Sequence, residues 1–185
     1  YTNLSSADAD SLINGKPDTA PTEIVETDNR LIFNRCGRVD PLDFNAYRAD
    51  GGFSNGPTSS ESVLAEIRSS GLRGRGGAGF PAHIKWQTVA DQPKSQKYIV
   101  CNADEGDSGT FADRLIMEGD PFLLIEGMAV AAGAVGASKA FIYLRSEYPE
   151  AAGILTEALQ IARREGALNE IFDIALFIGA GAYIC

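Results

Sequence analysis

Three short β-prone runs alternate with helical patterns in the second half of the chain, and this order constrains the fold most. The β-prone runs cover residues 97–101, 140–144 and 172–178, and the helical patterns cover residues 112–118, 121–135 and 149–164. Strand, helix and strand in this order are typical of parallel strands joined by helical crossovers. We therefore predict an α/β fold, a Rossmann-like three-layer domain with a mostly parallel sheet that is incomplete in this chain.

The chain before these runs divides into a polar arm and a helical region. Residues 1–30 are polar and acidic, which is typical of a linker or arm from an upstream segment, so we place the α/β domain at residues 31–185. We expect a short strand at residues 31–33 and helical turns within residues 42–49. A helix is predicted at residues 60–70, with Ser60 as its N-cap and Gly71 as its stop.

Composition excludes several classes of function. A net charge of -9 argues against nucleic acid and anionic membrane surfaces, since both need a basic footprint. No apolar run reaches the roughly 18 residues of a membrane span, so direct membrane insertion is not expected. Cys36, Cys101 and Cys185 are far apart and form no local metal motif. Reduced cysteines indicate a cytoplasmic protein, and His83 is interpreted as an exposed loop residue.

A glycine-rich loop at residues 71–81 (GLRGRGGAGFP) is the first candidate ligand site. Exposed N–H groups of such a loop bind anions, and arginine matches phosphate oxygens with a planar fork of donors. The loop therefore predicts contact with a nucleotide phosphate or with the flat face of a cofactor. Its candidate residues are Gly74, Arg75, Gly76, Gly77 and Gly79, with Arg73 and Lys85 as further attractors of phosphate. A flexible glycine linker is the alternative.

An acidic loop directly after the first β-prone run is the second candidate. Asn102, Asp104, Glu105 and Asp107 stand where open α/β sheets bind ligands. Carboxylates there accept hydrogen bonds from sugar or ribityl hydroxyls, and Phe80 offers a face for stacking. A plain polar turn before a helix remains the alternative, as does a paired-carboxylate hydrolase. Cofactor redox chemistry fits better, because there the protein mainly positions the cofactors.

Three motifs together resemble one known family. They are GLRGRGGAGFP (71–81) followed by Lys85-Trp86, CNADEGDSGT (101–110) and GAGAYIC (179–185). The chain is similar to the flavin-carrying, NADH-oxidising subunits of respiratory NADH:quinone oxidoreductase (its 51 kDa subunit), of NAD-reducing hydrogenases and of NAD-dependent formate dehydrogenases. The resemblance covers residues from about position 31 to the end.

This resemblance implies that FMN and NAD share one cavity, with hydride transfer carried by the cofactors and no catalytic side chain. The implied FMN contacts are Gly74, Arg75, Gly76, Lys85, Asn102, Asp104, Glu105 and Tyr183. The implied NADH contacts include Phe80 and Asp107. The family sequence continues beyond Cys185 with the rest of the flavin site and the cysteines of a 4Fe-4S cluster. We therefore expect this chain to be an N-terminal fragment.

Residues 107–108, 113–114 and 117–122 look most like the soluble formate dehydrogenase type. That type implies a diaphorase module passing electrons between NAD(H), FMN and iron–sulfur clusters, with net conversion of formate and NAD⁺ into CO₂ and NADH. Its partners would be iron–sulfur subunits and a formate-oxidising subunit with molybdenum or tungsten. The same module in a hydrogenase or the respiratory enzyme is the alternative, and a non-catalytic α/β interaction module is an alternative of another class.

Overall fold

The structure, a computed structural model, describes residues 30–54, 59–107 and 109–181. The described residues from Ile32 onward form one compact unit. All but the last residue of the predicted arm at residues 1–30 lie outside the described residues. The predicted division of the chain at residue 30 therefore stays a prediction.

The described residues contain a parallel three-stranded sheet with helices. The helices are α1 (Phe44–Ala49), α2 (Ser60–Ser70), α3 (Ala82–Ala90), α4 (Ala112–Gly119), α5 (Pro121–Val135) and α6 (Pro149–Arg164). The strands are β1 (Tyr98–Ala103), β2 (Lys139–Leu144) and β3 (Asp173–Ile178), in the order β1-β2-β3. Both strand pairs are parallel, with Ala103 opposite Leu144 and Leu144 opposite Ile178. The predicted α/β class and parallel sheet are confirmed.

Two local predictions in the first half of the chain are wrong. Residues 31–33 form turns and bends rather than a strand, because polar turn-forming residues follow at once and no strand among the described residues pairs with them. The N-cap of α2 is Ser59, whose Oγ accepts from the N–H of Ser62 at 3.2 Å. The hydroxyl of Ser60 instead donates to the carbonyl of Ala134 in α5. Gly71 ends α2 with φ +65, as predicted.

The hydrophobic core lies on one face of the sheet, between the strands and helices α5 and α6. Ala140, Ile142 and Leu144 alternate with more exposed residues along β2 and are buried, as the period of a strand requires. Ile125 of α5 and Leu155 of α6 are fully buried against this face. Helix α5 has an even spread of apolar residues around its circumference, which suits its central position.

The opposite face of the sheet carries partly exposed aromatic side chains. Tyr98, Phe141 and Phe177 form a row across the three strands, with ring centres 5.7 and 5.6 Å apart. The described crossover helices α5 and α6 contact each other on the buried face, so this row is not covered by either of them. Within the described ranges, no helix combines the length and the apolar character that crossing a membrane requires.

We predict that Ile142→Ala lowers the free energy of unfolding by about 3 kcal/mol, because it leaves a cavity in the closed core. Ile142 is 0% exposed at the centre of β2. Ile171→Ala is the matched control, since Ile171 is 81% exposed and should contribute less than about 0.5 kcal/mol. Urea unfolding of the complete protein, followed by circular dichroism, measures both. Equal losses from the two substitutions would contradict the described core.

Candidate functional site

The glycine-rich loop is a closed turn between two helices. It leaves α2 at Gly71 and enters α3 at Ala82. Arg73 and Pro81 form an antiparallel bridge, and the N–H of Gly74 donates to the carbonyl of Phe80 at 2.8 Å. These hydrogen bonds close the base of the loop, so its glycines are presented by a fixed frame and not by a loose linker.

The two arginines of this loop have different roles. Arg73 uses its Nη1 to donate to the carbonyl of Gly79 at 3.0 Å, which braces the loop across its own width. This contact uses one N–H donor of an exposed guanidinium, so the predicted role of Arg73 as a phosphate attractor stays a prediction. Arg75 is exposed and lines a cleft beside the loop. Of the two, Arg75 is therefore placed to meet an anion.

Gly76 gives a direct test of whether the loop fits a flat or anionic ligand. A Cβ atom built on Gly76 meets no protein atom within 4 Å, and its φ does not fall in the left-handed region. The packing of the described residues thus gives no reason for glycine at this position, whereas Gly77 (φ +101) and Gly79 (φ +60) need glycine for their backbone conformation. Bare main chain bordering a cleft is what a cofactor lying against the loop requires.

The acidic loop begins where β1 ends. The side-chain oxygen of Asn102 accepts from the N–H of Asp104 at 3.0 Å, so what Asn102 offers a ligand is its amide N–H donors. Asp104 is half-buried and Asp107 is exposed. Gly109 (φ +83) and Phe111 (φ +51) then turn the chain sharply, which brings the N-terminus of α4 back toward the loop.

Glu105 is a buried carboxylate that is held by the protein itself. It is 7% exposed, and its carboxylate accepts from the N–H groups of Asp113 (2.9 Å) and Arg114 (3.2 Å) and from the hydroxyl of Tyr148 (3.0 Å). Burial opposes its ionisation, but these hydrogen bonds outweigh burial and lower the pKa of Glu105 below its ordinary value. Its predicted contact with a ligand hydroxyl stays a prediction.

The two loops meet across one cleft of about 600 Å³. Its lining residues are Arg75, Gly76, Asn102, Asp104, Glu105, Gly106, Asp107, Thr110, Ala112 and Asp113. In this cleft a guanidinium group and bare main chain lie together with carboxylates and an amide. A second groove of about 680 Å³ lies between α6 and β3, and none of the predicted residues lines it. The two are of similar size, and the chemistry of the lining favours the cleft as the ligand site.

The remaining predicted residues lie at other positions. Phe80 and Lys85 are both exposed beside the cleft, with Nζ of Lys85 5.8 Å from the centre of the Phe80 ring. Tyr183 lies outside the described residues. Gly179, at the start of the third motif, is tightly packed, because a Cβ atom there would come within 3.0 Å of the hydroxyl of Tyr143.

The thiol of Cys101 near the end of β1 is not activated as a nucleophile. Burial raises the pKa of Cys101 to about 11, so this thiol keeps its proton at neutral pH and is a poor nucleophile. Among the residues that the structure describes, no group of three or more His, Cys, Asp or Glu side chains is arranged to hold a metal ion.

Sequence reasoning missed the two residues that hold Glu105 from the next strand. Tyr148 hydrogen-bonds the carboxylate, and Arg145 donates to the main-chain carbonyl of Glu105. Arg145 directly follows β2, and the carboxyl ends of parallel strands share one edge of a sheet, so its position was a usable signal. Tyr148 carries no such signal, since it stands further along the chain as the residue before α6.

The fold and the cleft define an α/β protein with a candidate ligand site at the carboxyl edge of a parallel sheet. A family model described as the Nuo51 FMN-binding domain matches residues 67–185. The chain belongs to this family, as the three motifs predicted.

Relatives and a solved structure agree with this assignment. The chain is 39% identical over 176 residues to a subunit of the NADH-quinone oxidoreductase of Aquifex aeolicus, covering 89% of this chain and 41% of the relative. It is 42% identical to the HndC subunit of the NADP-reducing hydrogenase of Solidesulfovibrio fructosivorans, over 84% of this chain and 34% of the relative. The crystal structure of an NAD⁺-reducing [NiFe]-hydrogenase matches with a TM-score of 0.65 and 33% identity, over 97% of this chain and 32% of that chain. The chain thus spans less than half of each of these proteins.

We predict that Glu105→Gln lowers the free energy of unfolding by about 1–3 kcal/mol at pH 7, because α4 loses a charged hydrogen-bond partner. The folded pKa of Glu105 is depressed, so its stabilising effect is present above its ordinary value of 4.5 and is lost as the pH falls through the lower folded pKa. The difference between the two proteins should therefore shrink as urea unfolding is repeated at lower pH.

Glu157→Gln, an exposed change on α6, is the control and should leave stability unaltered across the same pH range. If the free energy of unfolding lost in Glu105→Gln stayed constant down to strongly acidic pH, the ionised carboxylate would not be the source of the stabilisation.

Proposed function

We propose that this domain binds FMN and NAD(H) as the diaphorase module of an oxidoreductase, in the complete protein of which the chain is a part. The observation that carries the proposal is the convergence of the loop bearing Arg75 and Gly76 with the loop bearing Asn102 and Asp104 in one cleft. The family description and the names of the relatives support the same cofactors.

The residues of the cleft fit an FMN molecule with its phosphate toward the glycine loop. Arg75 and the N–H groups of residues 75–79 provide the donors that a phosphate needs. Asp104 accepts from ribityl hydroxyls and Asn102 donates to the edge of the flavin ring. The bound flavin would supply hydride and single-electron chemistry. We therefore assign binding and orientation, and no catalytic role, to the side chains of this site.

The nicotinamide cofactor is proposed to approach from the side of Phe80 and Asp107. Phe80 is 44% exposed beside the glycine loop, where its ring is able to stack on an aromatic ring of the ligand. Asp107 is exposed at the mouth of the cleft and accepts hydrogen bonds from ribose hydroxyls. Lys85 and Tyr183 complete the proposed set of cofactor contacts.

The complex that holds the module is a finer proposal. Residues 107–108, 113–114 and 117–122 favour a soluble, cytoplasmic formate dehydrogenase, with iron–sulfur partner subunits, a 4Fe-4S cluster and a molybdenum or tungsten subunit that oxidises formate. The names of the relatives favour a hydrogenase or an NADH-quinone oxidoreductase instead. To separate these assignments, the reduction of NAD⁺ by the purified complex is measured once with formate and once with hydrogen as the electron donor.

Flavin absorbance tests the proposal itself. The complete protein, purified with its partners, is expected to show the blue absorbance band of a flavin, and anaerobic NADH should bleach it. Acid extraction followed by chromatography would identify the released flavin as FMN. A complete protein that carries no flavin after reconstitution with FMN would refute the function and favour a non-catalytic α/β interaction module.

We predict that Gly76→Ala lowers the affinity for FMN at least about tenfold while leaving stability within about 0.5 kcal/mol of the original protein. The added methyl group meets no protein atom and needs no unusual backbone conformation, so its expected cost is the space that the cofactor would occupy. Gly153→Ala on α6 is the matched control, because a Cβ atom there also meets nothing. Fluorescence titration with FMN and urea unfolding measure the two quantities. Unchanged FMN affinity in Gly76→Ala would remove the glycine loop from the site.

A further inference from the structure

Arg145 links the loop after β1 to the loop after β2. Its Nη1 donates to the main-chain carbonyl of Glu105, and its guanidinium carbon lies 5.0 Å from the centre of the Tyr148 ring. The side chain of Arg145 is 19% exposed, so this contact is largely shielded from water. The N–H of Arg145 also donates to the carbonyl of Ala103 at 3.3 Å, which continues the β1–β2 ladder by one step.

Tyr148 links the same two loops through a side chain. Its hydroxyl donates to Oε2 of Glu105 at 3.0 Å, and two guanidinium groups lie close to its ring, that of Arg145 at 5.0 Å and that of Arg114 at 5.4 Å from the ring centre. Glu105 is thus held twice from the β2 side, by its main chain through Arg145 and by its carboxylate through Tyr148. The other hydrogen-bond donors to the carboxylate are main-chain N–H groups of α4.

A surface ion pair is the simpler account of Arg145, since its Nε lies 3.4 Å from the carboxylate of Glu147. That contact is long, and Glu147 is 54% exposed, so its contribution is small. It also leaves unexplained why the guanidinium reaches a carbonyl in another loop. The contact with Glu105 is partly shielded from water, and it joins the loop after β1 to the loop after β2.

We propose that Arg145 and Tyr148 are positioning residues for the cofactor site. Through Glu105 they fix the acidic loop against the N-terminus of α4, in the conformation in which Asn102 and Asp104 line the cleft. The inference rests on the proposed function for the identity of the ligand. It goes beyond that function because it assigns the ordering of the acidic loop to Arg145 and Tyr148, which do not line the cleft.

Hydrogen exchange of the flavin-free complete protein tests the positioning directly. Arg145→Gln and Tyr148→Phe are each expected to speed amide exchange of the peptide spanning residues 104–107 about tenfold, the effect of losing one hydrogen bond to a charged or buried group. Arg164→Gln and Tyr98→Phe are matched controls at exposed positions and should exchange as the original protein does. Unchanged protection of this peptide in both test variants would overturn the inference, whatever the protein binds.

The second part of the test measures how tightly the variants bind FMN. FMN is expected to bind about tenfold more weakly to Tyr148→Phe, while the flavin-saturated variant keeps a kcat with NADH close to the original, because Tyr148 touches no reacting atom. The charged or titratable groups around Glu105 are Asp113 and Arg114 of α4, with Arg145 and Tyr148 after β2. Removing the hydroxyl takes one donor from the ionised carboxylate, so the acidic pH at which flavin is released should move upward.

The two arms separate the inference from the proposed function. A general loss of stability would speed amide exchange throughout the protein, whereas positioning speeds it at residues 104–107, so a uniform increase in exchange would count against positioning. An original protein that binds no FMN would refute the proposed function, while the exchange experiment would still decide whether Arg145 and Tyr148 order the loop.

Discussion

The hydrogen bonds between the Glu105 carboxylate and the first N–H groups of α4 are the interaction on which the site depends. The first N–H groups of a helix have no partner within it, and a buried carboxylate is costly without donors. The hydrogen bonds between them supply both the acceptor that the N–H groups lack and the donors that the carboxylate requires. The positive end of the helix dipole stabilises the negative charge further. The same contact joins the end of β1 to the helix that follows, so the acidic side of the cleft is set before any ligand enters.

The glycine side of the cleft is ordered by separate means. The loop between α2 and α3 is closed by its own backbone hydrogen bonds and by the contact of Arg73 with Gly79. Helices α2 and α3 both contact α5, and α5 contacts β1, so a chain of packed elements sets the distance between the two loops. Neither loop uses the other for its own hydrogen bonds among the described residues. Each loop is therefore ordered without hydrogen bonds from the other, which is what a preorganised binding site requires.

The sequence predicted the elements of the fold well because each has a local cause. Strands β1 and β2 are short β-prone runs, and α5 and α6 start with proline at the first turn. What it could not predict is which side chains are used by the fold. Arg73 and Glu105 look like ligand contacts in a motif, and the structure shows that each also makes hydrogen bonds within the protein. His83 was interpreted as a loop residue but lies in α3, where its Nδ1 is buried. The contact of Glu105 with Tyr148 joins residues 43 positions apart, and local patterns do not encode such a pairing.

Charge then decides how an asymmetric ligand would lie in the cleft. Asp104, Glu105, Asp107 and Asp113 line one side, and Arg75 is the cationic side chain on the other. A phosphate among the carboxylates would meet like charges in a partly dehydrated space, where their repulsion is stronger than in water. At the glycine loop it would meet a guanidinium and main-chain donors. The gradient allows one orientation of a molecule with a phosphate at one end and neutral hydroxyls and a heterocycle at the other. The net negative charge of the chain is thus compatible with anion binding, because the carboxylates on one side of the cleft repel the anion toward the glycine loop.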